Sequence, residues 1–371
     1  MARLQSPIGE LAGEFVLVRL TNLRGVNLDV FDFDYDLTWA GFFLSPDQEI
    51  YGRYGGRDAS SPQSRLSLAG LRYAMTQALK AHREASPIGN SKSETRNPKT
   101  EVSRAASGVE LGHSISETET ATSRPRTVDQ YPAAERRPAA SCIHCHEVYD
   151  FRREMLQKQG KWRLDELWVY PLPENVGLRL DVDEGDRVRD VMEDSPASRA
   201  GLRRGDRLRS VSHVPIASLA DVQYGLHRAG AEGEIPISWR HGDQPMSARL
   251  SVGKEWRKTD ISWRWSLRGL EPTPWVQGED LTAEEKAKLG LPEHQLAFYL
   301  SAFLSPVARQ AGLGANDIIL GVDDKRLEMT AQQFQAYIRL NYKVGDRITY
   351  HILREGRRLP IPLTLTARPA S

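Results

Sequence analysis

The only two cysteines of this 371-residue chain stand three apart, in Cys142-Ile143-His144-Cys145-His146. Two thiols at that spacing can each add to a haem vinyl group while the adjacent His146 ligates the iron. The cofactor expected from the motif is haem c, with Met155 or His113 as candidate sixth ligands and electron transfer or redox sensing as the chemistry. The same atoms permit other uses. A zinc ion held by Cys142, Cys145 and His146 needs a fourth ligand, and His144 is too close in sequence to be an easy one. A CxxC pair can cycle between dithiol and disulfide in an oxidising compartment, or the two thiols can be inert. So few cysteines exclude a disulfide-stapled scaffold.

Two further clusters imitate catalytic motifs. Val30-Phe31-Asp32-Phe33-Asp34-Tyr35-Asp36-Leu37-Thr38 has the DxDxT spacing of haloacid-dehalogenase phosphatases, with Asp34 as nucleophile and Asp36 as acid/base. Those enzymes also need a later lysine and a metal-binding aspartate pair on the same sheet, and Asp323-Asp324 belongs to a repeated unit described below. The three aspartates are therefore expected on a solvated strand or turn. Gly89-Asn90-Ser91-Lys92 grazes a serine-nucleophile motif, but its surroundings offer no rigid scaffold or oxyanion hole. No catalytic residue is expected.

The length implies roughly two to four modules. Hydrophobic residues form 40% of the chain and charged residues 27%, the balance of soluble globular material. A net charge of +1 shows no basic excess, which argues against nucleic acid as a partner. Trp256, Trp263 and Trp265, interleaved with Arg257, Arg264 and Arg268, are accordingly read as packing for a connector. No apolar run reaches the roughly 18 residues that a membrane span needs. The first fifteen residues show neither a basic start nor an apolar stretch, so no signal peptide is legible.

The elements that must position these residues follow from patterning. EFVLVRL at 14–20 reads as a buried strand. TWAGFFL and EIYGRY, separated by Ser45-Pro46-Asp47-Gln48, read as a hairpin. Leu68, Leu71, Met75 and Leu79 give one apolar face to a helix over 64–84. From 85 to 140 Ser, Thr, Glu, Arg and Pro dominate, too little apolar area to offset ordering, so a disordered linker is expected. A helix over 147–159 follows the cysteines.

The rest is an internal repeat. Ser195-Pro196, Ala200-Gly201-Leu202, Asp206 and Leu208 reappear as Ser305-Pro306, Ala311-Gly312-Leu313, Asp317 and Ile319. Each copy runs on into an apolar strand ending at Val211 or Val322, a helix (219–228; 331–340) and a glycine-initiated strand pair. Each glycine of the Ala-Gly-Leu triplet is expected to end a short helix with a positive φ, and each aspartate to hold the turn that follows.

This repeat resembles the PDZ domains of bacterial HtrA-type proteases, over about 171–253 and 286–368. The resemblance implies binding of protein or peptide C-termini as an added strand, with the carboxylate in a loop of backbone N–H groups. In the first copy, loop and strand would be Val176, Gly177, Leu178, Arg179 and Leu180, facing Val222 and Leu226 of the helix. In the second they would be Leu296, Ala297, Phe298 and Tyr299, facing Phe334 and Ile338. Residues 14–84 are similar to the C-terminal half of a thioredoxin-like fold, on the strand, the hairpin Trp39 to Gly56 and the closing helix. The whole chain is similar to bacterial proteins that join a thioredoxin-like domain to PDZ repeats, some of them selenoproteins. That resemblance implies an exported, periplasmic or secreted protein whose front end lies upstream of this sequence.

The expectation is an α+β multidomain chain: a partial thioredoxin-like segment (1–84), a linker (85–140), a CxxCH helical segment (141–170), a first PDZ-type barrel (171–253), a Trp-rich connector (254–285) and a second barrel (286–368). Its function would be that of a non-catalytic peptide-binding adaptor bearing haem, with possible redox partners. Two alternatives stand beside it: a thiol-disulfide protein that selects clients through the repeats, and a regulatory partner of an envelope protease.

Overall fold

A computed structural model describes residues 8–85 and 125–368. The N-terminal part holds α1 (Gly9–Ala12), the hairpin β1 (Ala40–Leu44) and β2 (Ile50–Gly55), and α2 (Leu68–Ala85). The hairpin and the amphipathic helix form as their patterns require. Ala74, Met75 and Ala78 of α2 pack on Phe43 and Tyr54. EFVLVRL differs from its expectation. It forms no strand: Glu14 and Phe15 lie in the turn that leaves α1, residues 16–20 have no regular structure, and Val16 is 94% exposed. β1 and β2 make a two-stranded sheet of their own, so the described residues do not build a thioredoxin-like sheet. A strand's apolar pattern is satisfied only when a neighbouring strand is there to cover it.

The linker expectation also needs correction. Residues 86–124 lie outside the described residues, and with them Gly89 to Lys92 and His113. Residues 125–134, however, are folded into a core, while 135–140 lie on its surface. Val128 and Tyr131 are buried with Leu23, Leu28 and Tyr35, and α3 (Pro132–Glu135) packs on α4 (Glu147–Lys158). Leu28 N donates to the Arg126 carbonyl and Leu23 N to the Ile143 carbonyl, so the 22–28 segment is stitched to chain far along the sequence. The polar composition of 85–140 is an average that hides this short apolar cluster.

The two repeats follow. The first comprises β3 (Leu178–Leu180), β4 (Val188–Val191), α5 (Pro196–Arg199), β5 (Arg207–Val211), β6 (Val214–Pro215), α6 (Leu219–Arg228), β7 (Gly233–His241) and β8 (Gln244–Val252). Among the described residues β3 pairs only with β4, while the main sheet runs β6-β5-β7-β8. The second comprises β9 (Gly278–Asp280), α7 (Ala283–Lys288), β10 (Phe298–Leu300), α8 (Pro306–Gln310), β11 (Ile318–Val322), α9 (Ala331–Asn341), β12 (Arg347–Arg354) and β13 (Arg357–Thr364). Its sheet runs β13-β12-β11-β10-β9.

The shared motif does the same work in both copies. Ser195 and Ser305 cap α5 and α8 by accepting from the N–H three residues on, and proline opens each helix, where its missing donor costs nothing. Gly201 and Gly312 leave those helices at φ 91° and 96°. Asp206 accepts from Arg203 N and Asp317 from Gly314 N, fixing the turn into β5 and β11.

The connector between the copies is pinned by buried charge. Arg264 pairs with both oxygens of Asp34, reaches Asp36, and donates to the Val169 carbonyl. Asp36 also accepts from the Ser266 N–H and hydroxyl, and Asp32 from the Tyr170 hydroxyl. All three aspartates are buried, contrary to the solvated turn expected of them. Desolvation opposes the Arg264 charge, but Asp34, Tyr149 and Asp36 together more than offset it. Neither Asp34 nor Asp36 is open to a phosphorylated substrate.

Candidate peptide-binding grooves

A strand edge accepts a guest chain only if one side of it is unpaired, and a carboxylate is held only where N–H groups are free to turn toward it. In the first copy β3 has that unpaired side. Gly177 precedes it at φ 87°, and a Cβ there would fall 2.1 Å from the Ser195 side chain, so the residue must be glycine. Leu178 and Leu180 point into the core and Arg179 outward. Val176 is buried in the same core.

In the second copy the groove strand differs from the expected one. Leu296 and Phe298 are core residues, Ala297 packs on Ile318 and Leu320 across the sheet, and Tyr299 lies in β10. β10 is paired on both sides, with β9 and β11, and so offers no edge. Hydrogen bonding identifies the true counterpart. Val188 N donates to the Asp206 carbonyl and Val188 pairs with Leu180; Leu300 N donates to the Asp317 carbonyl and Leu300 pairs with Gly278. Since the two aspartates are the same motif position, Leu180 corresponds to Gly278, Leu178 to Val276 and Gly177 to Trp275. Trp275 accordingly holds a positive φ of 61°. The insertion of α7 between β9 and β10 displaced this strand from where motif spacing puts it.

β9 is the last strand of its sheet, and Glu279 and Asp280 are exposed. Above it, the N–H groups of Trp275 and Val276 donate to no acceptor among the described residues. The loop is held by the Tyr350 hydroxyl on the Pro274 carbonyl and by the Trp275 indole N–H on Thr366 Oγ1. At the far end Asp280 Oδ1 accepts from Ala331 N, the first residue of α9, and closes the cleft.

The helix walls also differ from expectation. Val222 and Leu226, and Phe334 and Ile338, are buried in the two cores. In α6 the side turned toward the groove carries Leu219 and Gln223. Aligning the caps Ser218 and Thr330 puts Ala331 and Gln335 at those positions in α9, where Ala331 is buried in the second core and Gln335 is half-buried.

The first groove is covered by the chain itself. An ideal Cβ on Gly56 would sit 3.2 Å from Leu219 Cδ2 and from Gln223 Oε1. Arg65 Nη1 bonds Glu174 at 2.7 Å just before β3, and Ser67 Oγ bonds Asp183 at 2.6 Å just after it. The hairpin anchors this cover: Asp221, in the first turn of α6, accepts from Ala217 N, Ser218 N and Arg53 N. Full burial pushes the Asp221 carboxyl up to about 6, against the pull of Arg53 and the three N–H donors.

The cysteine motif sits at the start of α4. Cys142 is exposed, Cys145 turns toward the core beside Ile143, and both are free thiols. Burial raises the Cys145 thiol. The His146 ring lies 6.1 Å from a parallel His144 ring and 5.6 Å from Trp265. His146 Nδ1 is buried without a partner, whereas an iron-bound histidine is normally oriented by a hydrogen bond at that nitrogen. With one sulfur outward, the other inward and the ring flanked, these residues as folded do not fit a haem. Among the described residues no group of three or more His, Cys, Asp or Glu side chains converges to hold a metal.

The PDZ domain family matches residues 187–237, from the end of the β3–β4 loop into β7. The chain is 27% identical over 195 residues to a probable periplasmic serine endoprotease DegP-like of Hahella chejuensis, covering 51% of this chain and 40% of that protein. It is 24% identical over 183 residues to the periplasmic pH-dependent serine endoprotease DegQ of Escherichia coli, covering 48% and 38%. Among solved structures, the HtrA-type protease AlgW with decapeptide matches at 16% identity and a TM-score of 0.23, over 38% of this chain and 51% of that one. AlgW with tripeptide matches at 22% identity and a TM-score of 0.23, over 26% and 31%. The chain thus spans about 40% of the length of the curated relatives it matches. It contains a PDZ domain at residues 187–237 and is similar over half its length to DegP-like periplasmic serine endoproteases.

Proposed function

We propose that the chain is a peptide-binding regulatory partner of an HtrA-type envelope protease, and that the groove between β9 and α9 receives the carboxyl end of a protein. The observation that carries this reading is the edge strand β9 beneath the free N–H groups of Trp275 and Val276, beside α9. The periplasmic relatives favour the same compartment for this chain. A guest strand would pair with the outer side of β9 and place its carboxylate against those two donors, where charge-assisted hydrogen bonds are the strong ones.

The protease side of the proposal is tested by adding the purified chain to a purified DegP-like endoprotease and following cleavage of a chromogenic peptide. The expected result is a saturable change in rate that Gln335→Trp, which fills the β9–α9 cleft, abolishes. An unchanged rate at saturating chain contradicts it.

A further inference from the structure

The two copies of the repeat are not equivalent. We propose that residues 56–67 are an intrasteric occupant of the first PDZ groove, so that this copy binds a peptide only after this segment lifts away. This inference rests on the peptide-binding reading.

The path of the segment is fixed at three places. Gly55 and Gly56, at φ 146° and 139°, turn the chain out of β2 and toward α6, a conformation that L side chains rarely adopt. Gly56 then meets Leu219 and Gln223 on the helix wall. Arg65 and Ser67 grip Glu174 and Asp183, on either side of β3, so the segment passes beside that strand while Leu66 packs back on the core of the hairpin and α2. At the cleft's inner end Gln223 Nε2 donates to the Tyr170 carbonyl and the Tyr170 ring stacks on His227 at 4.2 Å. A guest strand would need the space held by Gly56, Arg65 and Ser67.

The cover is exchangeable in kind. It forms no ladder with β3, whose partner among the described residues is β4 alone, so the backbone edge that a true ligand would use is left unspent. While the hairpin stays anchored at the buried Asp221, the segment's grip beside β3 is polar and partly exposed, through Arg65–Glu174 and Ser67–Asp183. Such contacts are individually weak and readily replaced by water. In the second copy the corresponding strand, β9, keeps Glu279 and Asp280 in solvent.

The test compares the wild-type chain, the double variant Arg65→Ala/Ser67→Ala and the variant Gln335→Trp. Amide exchange by mass spectrometry reads the cover without any ligand. The expected result is slow exchange over 176–182 relative to 275–280 in the wild type. The double variant should accelerate the first segment by roughly tenfold or more and leave the second unchanged. Equal exchange of the two segments in the wild type, or no response to the double variant, overturns the proposal. A fluorescein-labelled decapeptide with a free carboxylate after a terminal Leu then reads occupancy. It should bind the wild type at one site and the double variant at two, and the triple variant carrying Gln335→Trp at the first copy alone. Wild-type binding without a second site in the double variant also overturns it. Absence of binding to every variant, with the exchange pattern as expected, refutes the peptide-binding reading and leaves only a structural cover.

Discussion

Arg264 grips Asp34 with both arms of its guanidinium, Nη1 to Oδ1 at 2.6 Å and Nη2 to Oδ2 at 2.7 Å, and both side chains are buried. The pair joins the segment after Arg24 to the connector between the two repeats. Asp36 and Ser266 extend it, and the Tyr149 hydroxyl donates to Asp34 from α4. Charges taken out of water depend on each other, so removing one leaves its partners stranded.

Replacing Arg264 by alanine is therefore expected to destabilise the chain by about 3–5 kcal/mol. Urea unfolding followed by tryptophan fluorescence measures this. A loss below about 1 kcal/mol, the range of surface pairs, would contradict the burial described here.

Gly177→Ala is expected to cost about 2–4 kcal/mol, because the added methyl meets the Ser195 side chain at 2.1 Å and the φ of 87° disfavours any side chain. Thermal unfolding checks it. An unchanged midpoint would mean that β3 does not begin where the structure places it.

Asp221 sets a dependence on pH. Its folded carboxyl, near 6, lies above the ordinary value of 3.8, so the folded chain holds a proton that the unfolded chain releases between those values. This group's ionisation therefore costs stability above pH 6, and the penalty fades as pH falls from 6 toward 4. The expected gain from pH 7 to pH 5 is on the order of 1–2 kcal/mol, measured as the urea midpoint of wild type against Asp221→Asn, which should lack it. A parallel response of the two proteins contradicts the assignment.

The two thiols should separate kinetically. Cys142 is exposed, while burial raises the Cys145 thiol and restricts access to it. Iodoacetamide near neutral pH should modify Cys142 roughly ten times faster or more, read by peptide mass mapping. Equal rates would place both sulfurs on the surface.

Much of the repeat was legible because its motif residues act locally: a serine caps the helix it precedes, a glycine ends it, an aspartate closes its own turn. The helix over Leu219–Arg228 follows from such signals alone. What local signals cannot carry is pairing across the chain. β9 was hidden because α7 lengthens its connection to β10, and Trp275 occupies a backbone position where glycine is the signal sought. Asp34 and Asp36 read as solvated because their counter-charge, Arg264, lies more than two hundred residues away, and Asp32 because its partner Tyr170 is also distant in sequence. The covered state of the first groove depends on Gly56, Arg65 and Ser67, unremarkable residues until α6 and β3 are placed beside them.

The central claim is that β9 and α9 form a groove for a free carboxyl end. Fluorescence anisotropy of a labelled decapeptide ending in leucine, in free-acid and amidated forms, tests it most directly. The account predicts saturable binding of the free acid, weakened roughly tenfold or more by amidation because charge-assisted bonds to the Trp275 and Val276 N–H groups are lost, and abolished by Gln335→Trp. Equal binding of the two forms, or binding that survives Gln335→Trp, would contradict it.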